Sequence, residues 1–198
     1  MQRIFFSTLL AFALVALCMR FVDLPLAAWI SGHLRTYGLD EDNPKVPDLL
    51  LITVTIMTSL SWIVYFSLVR RNIHDRRTVV CQVMGTVLPL SFALKTVLKW
   101  LFGRTETRAW LADPGMPGFH WFAGKEGLSG FPSGHMLVYT PLFLALWHFY
   151  PRYRSYYGLA WFGLGVALIA TQYHFLSDVI AGAYIGALLF LGVRRGLR

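Results

Sequence analysis

Six apolar stretches, each close to the length needed to cross a bilayer, constrain this chain more than any other feature. They cover residues 4–21, 49–69, 78–101, 134–150, 157–173 and 178–193. About 20 mostly apolar residues in a helix span the hydrocarbon of a membrane. In lipid, backbone N–H and C=O groups must be paired within the protein, so such stretches fold as helices. The expected fold is all-α: a single domain over residues 1–198, built as a six-transmembrane-helix bundle. The low charged fraction fits, at 14% against about 25% in soluble domains. The first stretch has the position of a signal peptide, but residues 23–30 continue as amphipathic sequence without a clear cleavage site. It is read as an uncleaved span.

The formal net charge is +8. In a soluble protein that balance would suggest nucleic acid. Here the basic residues lie between apolar stretches, where they control topology and meet anionic headgroups. Membrane lipids are therefore expected partners and nucleic acid is not. Arg3, Arg70, Arg71, Arg76, Arg77, Arg152, Arg154, Arg194, Arg195 and Arg198 would share one side. That bias puts both termini in the cytoplasm. The long connection of residues 103–133, rich in Gly, Pro and aromatics, then faces outward, into the periplasm if the membrane is a bacterial inner membrane. Connections of that length in compact proteins usually carry function. Cys18 and Cys81 fall inside apolar stretches and are read as packing residues. No sequence feature fixes an oligomeric state.

Three polar clusters reach the outer side under this topology. The first holds Lys95, Lys99, Arg104, Glu106 and Arg108. Lys95 and Lys99 share a helix face. Cations at membrane depth tend to face the bundle interior, where they could hold a phosphate; the alternative is snorkelling toward headgroups. The second is Gly130-Phe131-Pro132-Ser133-Gly134-His135. Ser133 suits a helix cap, and free amides at a helix start bind anions; a plain capped helix start is the alternative. The third contains His174 and Asp178, four apart and thus on one face of a helix. A carboxylate on one imidazole nitrogen fixes the tautomer and makes the other nitrogen a better base or nucleophile; a satisfied interfacial pair is the alternative. Two histidines, a carboxylate, a serine and several cations together suit phosphoryl transfer. One histidine would attack phosphorus and the other would protonate the leaving alcohol.

These residues resemble the motifs of the type-2 phosphatidic acid phosphatase family, relatives of the bacterial acid phosphatases and vanadium-dependent haloperoxidases. That family carries Lys-x6-Arg-Pro, Pro-Ser-Gly-His and Ser-Arg-x5-His-x3-Asp. Pro132-Ser133-Gly134-His135 matches the second motif completely, and His174 with Asp178 matches the end of the third. Lys99 stands at the lysine of the first. The likeness covers residues 95–186, the expected catalytic core. It implies a site at the outer membrane face of a six-helix bundle. It further implies that His174 is a nucleophile forming a phosphohistidine, His135 the general acid and Asp178 the residue that orients His174. Lys99, Ser133 and Gly134 would bind the substrate phosphate. No metal and no other cofactor is implied.

The chain departs from the family at two places. Glu106 occupies the position of the first-motif arginine, without a following proline, and Ala167-Leu168 replaces Ser-Arg in the third motif. Arg104 and Arg108 flank the first gap and could supply the missing guanidinium; either Arg104, Arg108, Lys95 or Lys125 compensates, or substrate and rate differ from the family. The expected activity is hydrolysis of a phosphate monoester or pyrophosphate on a lipid. The alternatives are a phosphotransferase using the same histidine and a lipid-binding or transport relative without turnover. Phe119, Trp121, Phe122, Tyr173 and Phe175 would cradle a lipid chain or form an interfacial aromatic belt.

Overall fold

The computed structural model describes residues 2–33, 49–114, 118–124 and 127–197. Expectations touching residues 34–48, Lys125 or Arg198 lie outside these. Among the described residues all regular structure is helical, apart from one isolated bridge between Arg104 and Phe119.

Helix α1 (Gln2–Leu17) runs through a π-helical turn (Cys18–Val22) into α2 (Asp23–His33). The first apolar helix therefore extends to His33, well past residue 21 where the apolar stretch was expected to end. The wide turn has a local cause. Pro25 lacks an N–H and its ring would crowd the carbonyl four residues back. A π turn absorbs that misfit without ending the helix, and the Asp23 N–H donates to the Cys18 carbonyl, five residues back.

Helices α3 (Leu49–Arg70) and α4 (Arg76–Phe102) follow, then a short α5 (Thr107–Ala112), α6 (Gly134–Phe149), a 3-10 turn, α7 (Arg154–Ala170) and α8 (Leu176–Gly196). Among the described residues, four helices are long and apolar enough to cross a membrane: Ile4–His33, α3, α4 and α8. Helices α6 and α7 coincide with the fourth and fifth apolar stretches but have only 16 and 17 residues.

Helix α6 is the central element, packed against α4, α7 and α8, while α3 covers α4 and α1 lies along α8. Val83, Val87, Leu88, Val138, Leu142 and Phe190 form the apolar core. The α6–α8 contact is unusually close because Gly182 and Gly186 face it. A Cβ on Gly182 would lie 2.4 Å from the Ser133 carbonyl oxygen, and one on Gly186 would lie 2.7 Å from that of Leu137. Small residues four apart let helix backbones approach in this way. The approach brings the Ser133 N–H to the Asp178 carbonyl at 3.0 Å, so the second and third polar clusters meet.

Helix α4 begins at Asp75, whose carboxylate accepts the Arg77 N–H at 2.8 Å. It ends at Gly103 in the left-handed region (φ 54°), where a Cβ would strike the His120 carbonyl oxygen at 2.0 Å. This stop sets Lys99 in the last turn. The connection of residues 103–133 is strapped down by backbone bonds. Gly130 donates to Arg104 at 2.8 Å, Glu106 to Gly127 at 2.9 Å and His120 to Gly103 at 3.0 Å.

Candidate active site

Ser133 caps α6, its hydroxyl accepting the Met136 N–H at 3.4 Å. The next residues, Gly134 and His135, occupy the first turn, where amides have no intrahelical partner. His135 is partly exposed at the mouth of the site. His174 lies below it in the turn between α7 and α8. There Gln172 adopts φ 57°, and the Tyr173 and His174 N–H groups both donate to the Leu168 carbonyl, at 3.0 and 3.2 Å. The fold-back aims His174 at His135, with ring centroids 6.5 Å apart. Tyr173 borders both rings, 5.5 Å from His135 and 5.3 Å from His174.

His174 is 3% exposed. Neither ring nitrogen makes a hydrogen bond. Burial, then the charges of Lys99 and His135, hold its pKa well below the usual 6.5. The ring is therefore neutral at neutral pH and keeps a lone pair. Asp178 is fully buried one helical turn on. One of its oxygens accepts the Phe175 N–H at 3.0 Å and lies 3.9 Å from His174 Nδ1. The other meets the Arg104 guanidinium.

The cations divide into two groups. Lys99 acts on His174 from the end of α4. Lys95, one turn earlier, crosses the start of α6: a Cβ on Gly134 would sit 2.9 Å from Lys95 Cδ. Arg108 reaches over from α5, donating to the Thr171 carbonyl at 3.1 Å and lying 5.2 Å from the Tyr173 ring centroid. Arg104 behaves differently. It is buried, flanked by the Phe175 and Phe119 rings. Its guanidinium donates to Ser177 Oγ at 2.6 Å, to Asp178, and to Asp23 Oδ2 at 2.8 Å.

Asp23 was not among the sequence candidates. It is 2% exposed. Besides Arg104 it accepts the Ser177 N–H at 3.0 Å and the Ser177 hydroxyl. The signal was present: Asp23 is the first acidic residue of the chain and interrupts an apolar helix. An ionisable residue at membrane depth points to a functional partner. Where the sequence departs from the motifs, other contacts fill the space. Glu106 accepts a hydrogen bond from the Ser129 hydroxyl, and Leu168 packs with Met136 and Val179. Phe102, Phe119, Trp121 and Phe131 form a packed aromatic group beside the site, with Trp121 and Phe122 exposed.

The sequence pattern of the PAP2 superfamily matches residues 79–197, more than half of the chain. The chain belongs to the PAP2 superfamily. Within it, the chain is similar to a lipid A 1-phosphatase of Rhizobium johnstonii, 35% identical over 94 residues, which cover 48% of this chain and 38% of that protein. It is also similar to a lipid A 1-phosphatase of Rhizobium etli, 34% identical over 101 residues, covering 51% of this chain and 43% of that protein. The matched segment spans about two-fifths of the length of these relatives. No solved structure matches the chain at a significant level.

Proposed function

We propose that this PAP2 protein is a membrane lipid phosphatase that hydrolyses a phosphate monoester or pyrophosphate through a phosphohistidine on His174. One observation carries the reading: a buried, neutral His174 faces the more exposed His135 across 6.5 Å between ring centroids. Near-attack contacts of about 3–3.5 Å on each side of a phosphoryl group fit a gap of that order. His174 would attack phosphorus while the P–O bond to the lipid breaks. His135 would give its proton to the leaving oxygen, then take one from the water that cleaves the P–N bond. Asp178 would orient His174; its 3.9 Å separation is of the kind that tightens when substrate binds.

The α6 amides at Gly134 and His135, with Ser133, Lys95, Lys99 and Arg108, would hold the phosphate oxygens. Arg104, engaged with two carboxylates, would organise the site from beneath. The six apolar stretches would all cross or enter the bilayer of a bacterial inner membrane, with both termini in the cytoplasm and the site at the periplasmic face.

Phosphate release in detergent tests this, using lipid A 1-phosphate, phosphatidic acid, phosphatidylglycerol phosphate and a polyprenyl diphosphate, each with EDTA. The wild type should release phosphate from at least one, and His174→Ala and His135→Ala from none. Release that persists in His174→Ala, or that stops with EDTA in the wild type, would overturn the mechanism. Phosphate that moves to a second lipid instead of water would make the protein a phosphotransferase.

A further inference from the structure

We infer that Asp23, on the first helix and outside the matched PAP2 segment, is a positioning residue of the active site. The inference rests on the reading of His174 as nucleophile. Its carrier is the geometry of one guanidinium. Arg104 lies between two buried carboxylates, Asp23 from the N-terminal helix and Asp178 from α8. Ser177 ties the same two sides together: its N–H and hydroxyl go to Asp23, and it accepts from Arg104.

Asp178 is the group next to His174, and its position follows from what holds it. One oxygen is fixed by the Phe175 N–H and the other by Arg104. Arg104 is in turn set by Asp23. Without Asp23 the guanidinium would have one carboxylate left and would swing toward it, drawing Asp178 off His174. The Ser177 N–H and hydroxyl would also lose their acceptor at the start of α8. A buried polar group stripped of its partner relaxes or recruits another. The effect would pass from Asp23 through Arg104 and Asp178 to the His174 ring.

The placement also explains why a carboxylate is kept in an apolar helix. A lone charge there is costly, and one shared by three donors is not. The π turn that ends at Val22 sets Asp23 facing α8 and the residues after α4. The first helix is then part of the enzyme's machinery as well as an anchor in lipid.

The test uses the full chain in detergent, comparing wild type, Asp23→Asn, Asp23→Glu and His174→Ala, each normalised to monodisperse protein. Asp23→Asn should lower kcat about 10–100-fold, as removal of groups that orient ligating or catalytic residues does. KM should stay within about threefold, because the phosphate-binding cations are untouched. Asp23→Glu keeps the charge and should recover part of kcat. Histidine ring ¹⁵N spectra should show the His174 signals moved in Asp23→Asn. An Asn variant with wild-type kcat and unmoved His174 signals would overturn the inference, as would a Glu variant no better than Asn. If Asp23→Asn does not fold, Asp23→Ala takes its place: wild-type kcat with unmoved His174 signals in that variant would overturn the inference. Failure of the underlying reading looks different: wild type without lipid phosphatase activity, or His174→Ala with it. The spectra still judge the positioning role in that case.

Discussion

Helices α6 and α8 meet backbone to backbone. Gly182 and Gly186 leave no room for a methyl group, and the Ser133 amide reaches the Asp178 carbonyl across the seam. The first helix is held differently. Only 6% of its most apolar stretch is buried by the rest of the protein, against 44% for α4. Its buried residues are few: Cys18, Asp23, Ala27 and Ile30. Phe6, Leu10 and Phe12 point outward, each more than 65% exposed. The body gets its geometry from close packing, which is unforgiving everywhere along the seam. The arm is attached at a few polar residues, Asp23 to Arg104 and Ser177, and Ser7 and Thr8 to the Tyr184 hydroxyl, in a helix whose other faces are largely exposed. Substitutions should therefore act densely in the body and at isolated positions in the arm.

The largest effect is expected at the centre of the body. His174→Ala should lower kcat by about 10⁴-fold or more, as loss of a nucleophile does, measured as phosphate release. His135→Ala should cost about 10²–10⁴-fold, the usual range for a general acid. The loss should shrink with an aryl phosphate, whose leaving group needs no proton.

Gly182→Ala probes the seam itself. A Cβ 2.4 Å from a backbone oxygen forces α8 away from α6, with about 1–3 kcal/mol of destabilisation expected. Thermal unfolding in detergent would read the loss. Kinetics should worsen too, because the same displacement separates His174 from His135.

The pH dependence follows from His174. In the proposed mechanism its protonated form could not attack, and burial with Lys99 and His135 holds its pKa below 6.5. The acid limb of kcat/KM should fall below that value, and Lys99→Met, which removes one lowering influence, should move it to higher pH. Stability has the matching sign. The unfolded chain takes up this proton near 6.5 and the folded one only at lower pH, so the contribution is complete above 6.5 and is lost on acidification below it. The smallest effect belongs to the arm: Phe12→Ala, at 73% exposure, should change neither stability beyond about 0.5 kcal/mol nor turnover. A large loss there would break the contrast between arm and body.

The fold class was legible because lipid leaves few choices: a long apolar stretch must be helical. A helix end was legible where a polar residue coincides with a cap, as at Ser133. The first helix misled because Asp23 reads locally as the end of an apolar stretch. What keeps it inside is Arg104, 81 residues away, and no local pattern records that pairing. The same pairing governs the reading of Arg104. By sequence it stands beside a motif gap and looks like a spare phosphate ligand. Its guanidinium is in fact engaged by two carboxylates and Ser177. The meeting of His135 and His174 was suggested by topology alone; the glycines that bring it about became readable only once α6 and α8 were known to be neighbours.

Trapping the phosphoenzyme tests the central claim most directly. The protein would be mixed with ³²P-labelled lipid phosphate, quenched in alkaline detergent within milliseconds to seconds, and the label on protein measured. The mechanism expects an alkali-stable, acid-labile phosphoenzyme that is absent from His174→Ala. A turning-over wild type with no labelled protein, or label that persists in His174→Ala, would contradict it.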